Sequence, residues 1–308
     1  TLTLTNVTST SSTNFDPVAN GDAAATNFNP LDAFSVNGTG YATASAAGLT
    51  AGDITPTGAS VNTKSGFSII KYTGSLSSTG SETISHGLSN RSGGYMLITK
   101  SLDVTGADTG DWLIQHSGLT SASYTLRFDT SAESNKSGNG TMNAPDTSVF
   151  YTNYTVGSNV VGNNYIAYLW HDVPGLQKFG SYTGNGSTTL GTFVETGFKP
   201  ALLWVKRVAQ GTAYSSWAIY DSTRSTFNTI GLSSFNFPLW ANLSASEGKR
   251  GNGIDAASGA ENIINFFSNG FMALGSGAEL NVSGEEYIYC AWAEAPSFNL
   301  YGAQSNAR

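Results

Sequence analysis

Cysteine is almost absent from this chain. The single copy, Cys290, excludes an internal disulfide framework and a cysteine-built metal centre. It sits in the alternating run YIYCAW, where a small thiol packs as a hydrophobe, so a buried structural role is expected. Histidine is nearly as scarce: His86, His116 and His171 have no second histidine at metal-binding spacing and read as structural or surface residues. Charge is thin as well, at 11% of residues against a typical share of about a quarter. The balance of −7 and a sequence pI near 4.9 argue against nucleic acid, which needs clustered Lys and Arg, and against an anionic membrane surface. No apolar run approaches the ~20 residues that span a bilayer, so no membrane insertion is expected. The first residue is Thr, and the chain is expected to be part of a longer or processed protein.

Catalytic constellations are missing too. There is no G-x-S-x-G elbow, no Walker sequence and no glycine fingerprint between a strand and a helix. Glycosidases need paired carboxylates, and no E-x-D-x-x-E pattern is present. Glu285 and Glu286 are adjacent, so on a strand they point to opposite faces. The chain therefore reads as a non-enzyme without a cofactor. One oxygen-rich loop, with Asp103, Asp108 and Asp111, is a minor candidate for Ca²⁺, although its spacing does not match an EF-hand.

Glycine, serine, threonine and asparagine fill the space that charge leaves, and aromatics reach 12%, which disfavours disorder. Short alternating runs bounded by Gly, Ser, Asn or Asp predict an all-β chain. These runs repeat. GFSIIKYT (66–73) is followed by Gly74, and KFGSYT (178–183) by Gly184. YMLITK (95–100) answers to ALLWVKR (201–207), WLIQHS (112–117) to WAIYDS (217–222), and NNYIAYLWHDVPG (163–175) to EEYIYCAWAEAPS (285–297). Four matches in one order predict an internal duplication, with two tandem β-sandwich modules at 64–175 and 176–308. Residues 1–63 read as an extended arm, a candidate inter-subunit contact whose opening TLTLTNVTSTSSTN alternates like an edge strand.

The matched aromatics, Tyr72/Tyr182, Trp112/Trp217, Tyr165/Tyr287 and Trp170/Trp292, are expected in the core, since both copies must pack alike. The unmatched ones are Tyr214, Phe227, Phe235, Phe237 and Trp240, most of them in or beside an insertion at 223–237. Aromatics on a polar loop suit contact with a protein or glycan, so these five are the candidate ligand-binding residues. A second, shorter insertion spans 246–262.

Gly66–Gly74 spell G-F-x-I-x-x-Y-T-G, followed by His86-Gly87-Leu88 and a strand ending in Lys100. The later steps are Leu203–Arg207, Trp217–Ser222, Ser268–Phe271 and Tyr287–Pro296. This series resembles a repeated domain of virion proteins from tailed phages, especially those of marine bacteria. The first copy departs from it at His171-Asp172 and at Thr152–Tyr154. The resemblance implies jelly-roll sandwiches of concanavalin or laminin-G type, with a structural or adhesive role at the virion surface, on tail or capsid. A tail-fibre or tail-associated adhesion protein is the first expectation. It would be a homo-oligomer, with a trimer as the expected state, among other virion proteins and against a host surface glycan or protein. A capsid decoration or head-fibre protein used only in assembly is the alternative, and a polysaccharide-degrading enzyme stands last.

Overall fold

The computed structural model describes residues 33–88, 93–103, 112–128, 134–135, 143–208, 216–224, 228, 238–244, 247 and 263–293. Every regular element among them is a β-strand, as the alternation predicts. In chain order they begin with β1 (Phe34–Val36), β2 (Thr39–Tyr41), β3 (Gly58–Asn62), β4 (Phe67–Thr73), β5 (Ser81–Ser85) and β6 (Tyr95–Ser101). Next come β7 (Leu113–His116), β8 (Tyr124–Arg127), β9 (Ser134–Asn135), β10 (Val149–Asn153), β11 (Asn164–His171), β12 (Gln177–Thr183) and β13 (Thr192–Glu195). The last are β14 (Pro200–Arg207), β15 (Ala218–Asp221), β16 (Leu239–Trp240), β17 (Ile263–Phe267), β18 (Gly270–Leu274) and β19 (Glu286–Ala293).

Packing divides the chain into two compact units that cut across the border expected at 175/176. One comprises 1–91, 99–110 and 139–170, the other 92–98, 111–138 and 171–308. β6 contributes to both.

In the first unit the strands run in the order β2-β1-β3-β4-β11, with β5 and β10 as a second pair. Alternation sets the faces: Ser68, Ile70 and Tyr72 of β4 are buried while Lys71 is exposed. The ring of Phe150 on β10 meets Tyr72 edge-on at 6.1 Å, which joins the two layers. Residues 33–62 are part of this sandwich and not of an arm. β1 pairs in parallel with β3, β3 pairs with β4, and Phe34, Leu49, Ile54 and Val61 are buried. Four apolar anchors in thirty residues remove enough surface from water to hold an otherwise irregular segment. The alternating stretch 1–14 lies outside the described residues.

The second unit has three layers. β12-β19-β14-β15-β16 form the central sheet. One face packs on β13-β18-β17 through Tyr182, Leu203, Val205, Tyr220, Phe266, Phe271, Tyr287 and Tyr289. The other face meets β6, β7 and β8: Cys290 Sγ lies 3.4 Å from Met96 Sδ, and Phe128 packs on Trp204 and Trp217. Covered on both sides, β19 buries every residue from Tyr287 to Ala291. Cys290 is fully buried, and desolvation raises its thiol well above the ordinary range, which makes it inert.

One hydrogen-bonded knot occurs in each unit with the same atoms. Tyr72 stacks on Tyr165 at 5.1 Å and 15°, and Tyr182 on Tyr287 at 5.2 Å and 13°. The Tyr72 hydroxyl donates to the Ser158 carbonyl at 2.7 Å, as the Tyr182 hydroxyl does to Leu280 at 2.7 Å. The hydroxyls of Tyr165 and Tyr287 accept from the N–H of Val160 and Val282. Buried Asn159 and Asn281 accept through Oδ1 from the N–H of Ser75 and Asn185. Gly74 and Gly184 sit where a Cβ would lie 2.3 Å from the carbonyl of Val160 and of Val282. Only glycine allows that approach.

The matched tryptophans do not share the tyrosines' fate. Trp217 is buried at 1% exposure, its Nε1 donating to the Arg127 carbonyl at 3.1 Å, but Trp112 is 39% exposed, and Trp170 and Trp292 are half-buried. Tyr72, Tyr165, Tyr182 and Tyr287 face inward between two sheets, whereas the Trp positions alternate onto outer faces whose cover differs.

Candidate functional site

The insertion at 223–237 leaves the sheet from β15 and returns on β16. These strands are adjacent and antiparallel, with Ala218 opposite Trp240 and Ile219 opposite Leu239. In the first of the two expected modules the strands at the like place are β7 and β8, with Leu113 opposite Arg127 and Ile114 opposite Leu126. Their connection, 117–123, is short, whereas 222–238 joins β15 to β16. A long connection on a constant pair of strands is where a rigid scaffold can present variable residues.

Both feet of the insertion are held. At the first, Asp221 Oδ1 accepts from the N–H of Thr223 and Arg224, at 3.1 and 2.8 Å. An aspartate that binds the backbone two and three residues on makes a turn without help from elsewhere. The Arg224 guanidinium then bonds Asp221 Oδ2 through Nε, and Glu247 Oε1 through Nη1 at 2.7 Å. This bridge joins the 223–237 insertion to the start of the 246–262 one. Burial pulls the Asp221 carboxyl upward, but the Arg224 N–H and guanidinium outweigh it and hold the carboxyl below its usual range. Further on, Asn228 lies beside β17: Nδ2 donates to the Phe266 carbonyl and Oδ1 accepts from the Phe266 N–H. At the second foot, Ala241 N–H donates to the Trp217 carbonyl at 3.1 Å, and Asn242 Oδ1 accepts from Trp217 N–H at 2.9 Å.

Of the five residues expected to bind, Tyr214, Phe227, Phe235 and Phe237 lie outside the described residues. Trp240 is 7% exposed and belongs to the core of the second unit. Register explains the correction. Trp240 is paired with Ala218, whose side chain faces the inner layer, so the indole must follow it. Trp240 is thus an anchor of the returning strand.

The histidines are structural. His116 holds the place that Asp221 holds in the paired run, and Ser117 N–H bonds the Tyr95 carbonyl as Ser222 N–H bonds that of Ala201. His116 Nδ1 accepts from Gly118 N–H at 3.0 Å, the turn-closing bond that Asp221 makes to Thr223. Its Nε2 donates to the Tyr289 carbonyl at 3.1 Å, and burial pushes the imidazole down to about 3. His86 does the same for Leu88 N–H, and its counterpart Thr196 accepts from Phe198 N–H. His171 is 8% exposed, with Nδ1 2.8 Å from the Asp172 carbonyl.

Of the carboxylates in the oxygen-rich loop, Asp103 accepts through Oδ2 from the N–H and side-chain amide of Asn164. Asp108 and Asp111 lie outside the described residues. No group of three or more His, Cys, Asp or Glu placed to hold a metal occurs among the described residues. Glu285 pairs with Arg207 at 3.0 Å, and Glu286 accepts from the Thr183 hydroxyl at 2.6 Å. An Asn-Val-x-Gly step precedes each closing strand, at 159–162 and 281–284, and is the sign of the knot in the sequence.

A family model described as "Domain of unknown function (DUF7483)" matches residues 1–296. The chain belongs to that family. The match spans both of the modules expected from the sequence. No curated protein and no solved structure matches the chain.

Proposed function

We propose that the protein is a structural and adhesive component of a phage virion, of the tail-fibre or tail-associated kind, and not an enzyme. On this reading the second unit is a stiff mount that holds the 223–237 and 246–262 insertions toward a host surface glycan or protein. The observation that carries the proposal is the bridge of Asp221, Arg224 and Glu247, which ties the two insertions together at their base. Exposed ion pairs add little stability, a median of about 0–1 kcal/mol, so this cluster is better explained by loop positioning. The resemblance to tailed-phage virion domains supports the same role, and oligomeric display would multiply a weak contact. A common origin of the two copies is part of this reading, supported by the twofold occurrence of the tyrosine knot.

The test is binding of the purified full chain to cells of candidate bacterial hosts, compared with a chain in which 225–237 is replaced by a short Gly-Ser turn. Loss of binding in a replacement that still unfolds cooperatively supports the proposal. Binding that survives the replacement, or binding absent from every assembled form, refutes it. Incorporation into phage heads without host binding would favour the assembly role.

A further inference from the structure

In the first unit the outer edge of β5 is closed by the chain itself. Ile54 bridges Ile84 in parallel, and its N–H donates to the Thr83 carbonyl at 3.0 Å. Asp53 Oδ2 accepts from the N–H of Thr83 at 2.9 Å and from its hydroxyl at 2.7 Å. A Cβ on Gly52 would lie 2.7 Å from the Thr83 carbonyl, so the cover is tight.

β13 is the counterpart of β5. Val194 stands opposite Phe271 as Ile84 stands opposite Phe150, which sets Phe193 in the place of Thr83. Here no strand among the described residues pairs with the edge, and the one cap is at its end, where the Glu195 carbonyl accepts from Lys178 Nζ at 2.9 Å. The Val194 carbonyl points into the sheet, since it would lie 2.1 Å from a Cβ on Gly270. Backbone groups alternate along a strand, so the N–H and C=O of Phe193 point outward. Neither has a hydrogen-bond partner among the described residues. The surroundings are apolar: Phe193 is 44% exposed and Leu190 is 72% exposed. From Leu190 to Val194 there is no Lys or Pro to blunt the edge against pairing.

We propose that β13 is a self-association edge at which a second copy of this chain adds its own β13, antiparallel, about a twofold axis at Phe193. In that register each Phe193 N–H donates to the other's carbonyl, the doubly bonded pair of an antiparallel ladder, and the contact is isologous. Glu195 falls opposite Gly191, so the two carboxylates do not face each other. The Phe193 rings, each edge-on to Phe267 of its own chain at 5.8 Å, come together and the Leu190 side chains leave water. A second copy fits better than an acidic segment such as Gly52–Ile54. The grip of Asp53 uses the Thr83 hydroxyl, and Phe193 offers none. The proposal stands apart from the adhesive reading, because it concerns a different edge and needs no host.

Sedimentation velocity of the full chain across a concentration range tests it, with Phe193→Lys, Phe193→Thr and Phe193→Pro beside the unaltered protein. Proline removes only the outward N–H and spares the ladder to β18. The expected result is a dimer whose dissociation constant rises about tenfold or more in each variant. The Phe193→Cys variant should form a disulfide-linked dimer under mild oxidation, since Cys290 is buried and cannot compete. A chain that stays monomeric overturns the proposal, and so does association that none of the substitutions weakens. A Phe193→Cys variant that associates but does not cross-link overturns it as well. Should Phe193→Pro fail to fold, the lysine and cysteine variants still decide.

Discussion

The side chain of Asn228 meets both backbone groups of Phe266, donating to the carbonyl at 2.7 Å and accepting from the N–H at 2.8 Å. An amide side chain used in this way imitates one residue of a neighbouring strand. It closes β17 at Phe266 and fixes a point within the 223–237 insertion at the same time. Asn228→Ala should cost about 1–3 kcal/mol if each bond is worth ~0.5–1.5 kcal/mol net. Hydrogen exchange at the Phe266 amide is the direct readout, and protection there should fall. An unchanged exchange rate would show that the pair contributes nothing in solution.

Gly74 and Gly184 make a matched prediction. In each place a Cβ would stand 2.3 Å from a carbonyl oxygen. Backbone cannot yield as a flexible side chain can, so Gly74→Ala and Gly184→Ala should each destabilise by about 1–3 kcal/mol, the usual range for overpacking. Urea unfolding of the two variants measures this. A large loss in one and none in the other would mean that equal geometry does not carry equal energy in the two knots.

His116 should make the fold acid-sensitive. Burial pushes its imidazole from the ordinary 6.5 down to about 3, against the opposing bond to Tyr289. The unfolded chain binds that proton below its own pKa while the folded chain refuses it. The contribution is therefore complete above the unfolded value and shrinks as pH falls toward the folded one, by ~1.4 kcal/mol per pH unit at most. His116→Asn keeps an acceptor for Gly118 N–H and removes the titration. Between pH 7 and pH 4.5 the unaltered protein should lose more stability than the variant. Superimposable profiles would exclude this role.

Trp240 separates anchoring from binding. With its indole in the core of the second unit, Trp240→Ala should destabilise by about 3–5 kcal/mol, and Trp240→Phe by less. Host binding by the Phe variant, scored as cell-bound protein, should match that of the unaltered chain. A folded Trp240→Phe variant with lost binding would return this residue to the contact surface.

Much of this was readable from alternation. Period-two burial on a chain without helical patterning led to β4 and β11, because a strand half-buried in a sandwich must alternate, whereas β6 and β19 are buried on both faces and were readable as short apolar runs. The paired tyrosines were readable for the same reason. Trp240 was misplaced because sequence distance from an insertion says nothing about which face a returning strand presents. The 33–62 segment was misread because its anchors, Phe34, Leu49, Ile54 and Val61, follow no period and acquire meaning only when β3 and the Ile54 bridge are in place.

The amino-acid sequence by itself determined the strand content and the absence of an internal disulfide, since these depend on local alternation and on residue counts. Tertiary structure alone decided which edges are closed. Thr83 and Phe193 occupy the same place in two like strands, yet one is capped by residues thirty positions upstream and the other has no such cap among the described residues. An edge is covered or open according to where a distant segment runs, and no local pattern encodes that path.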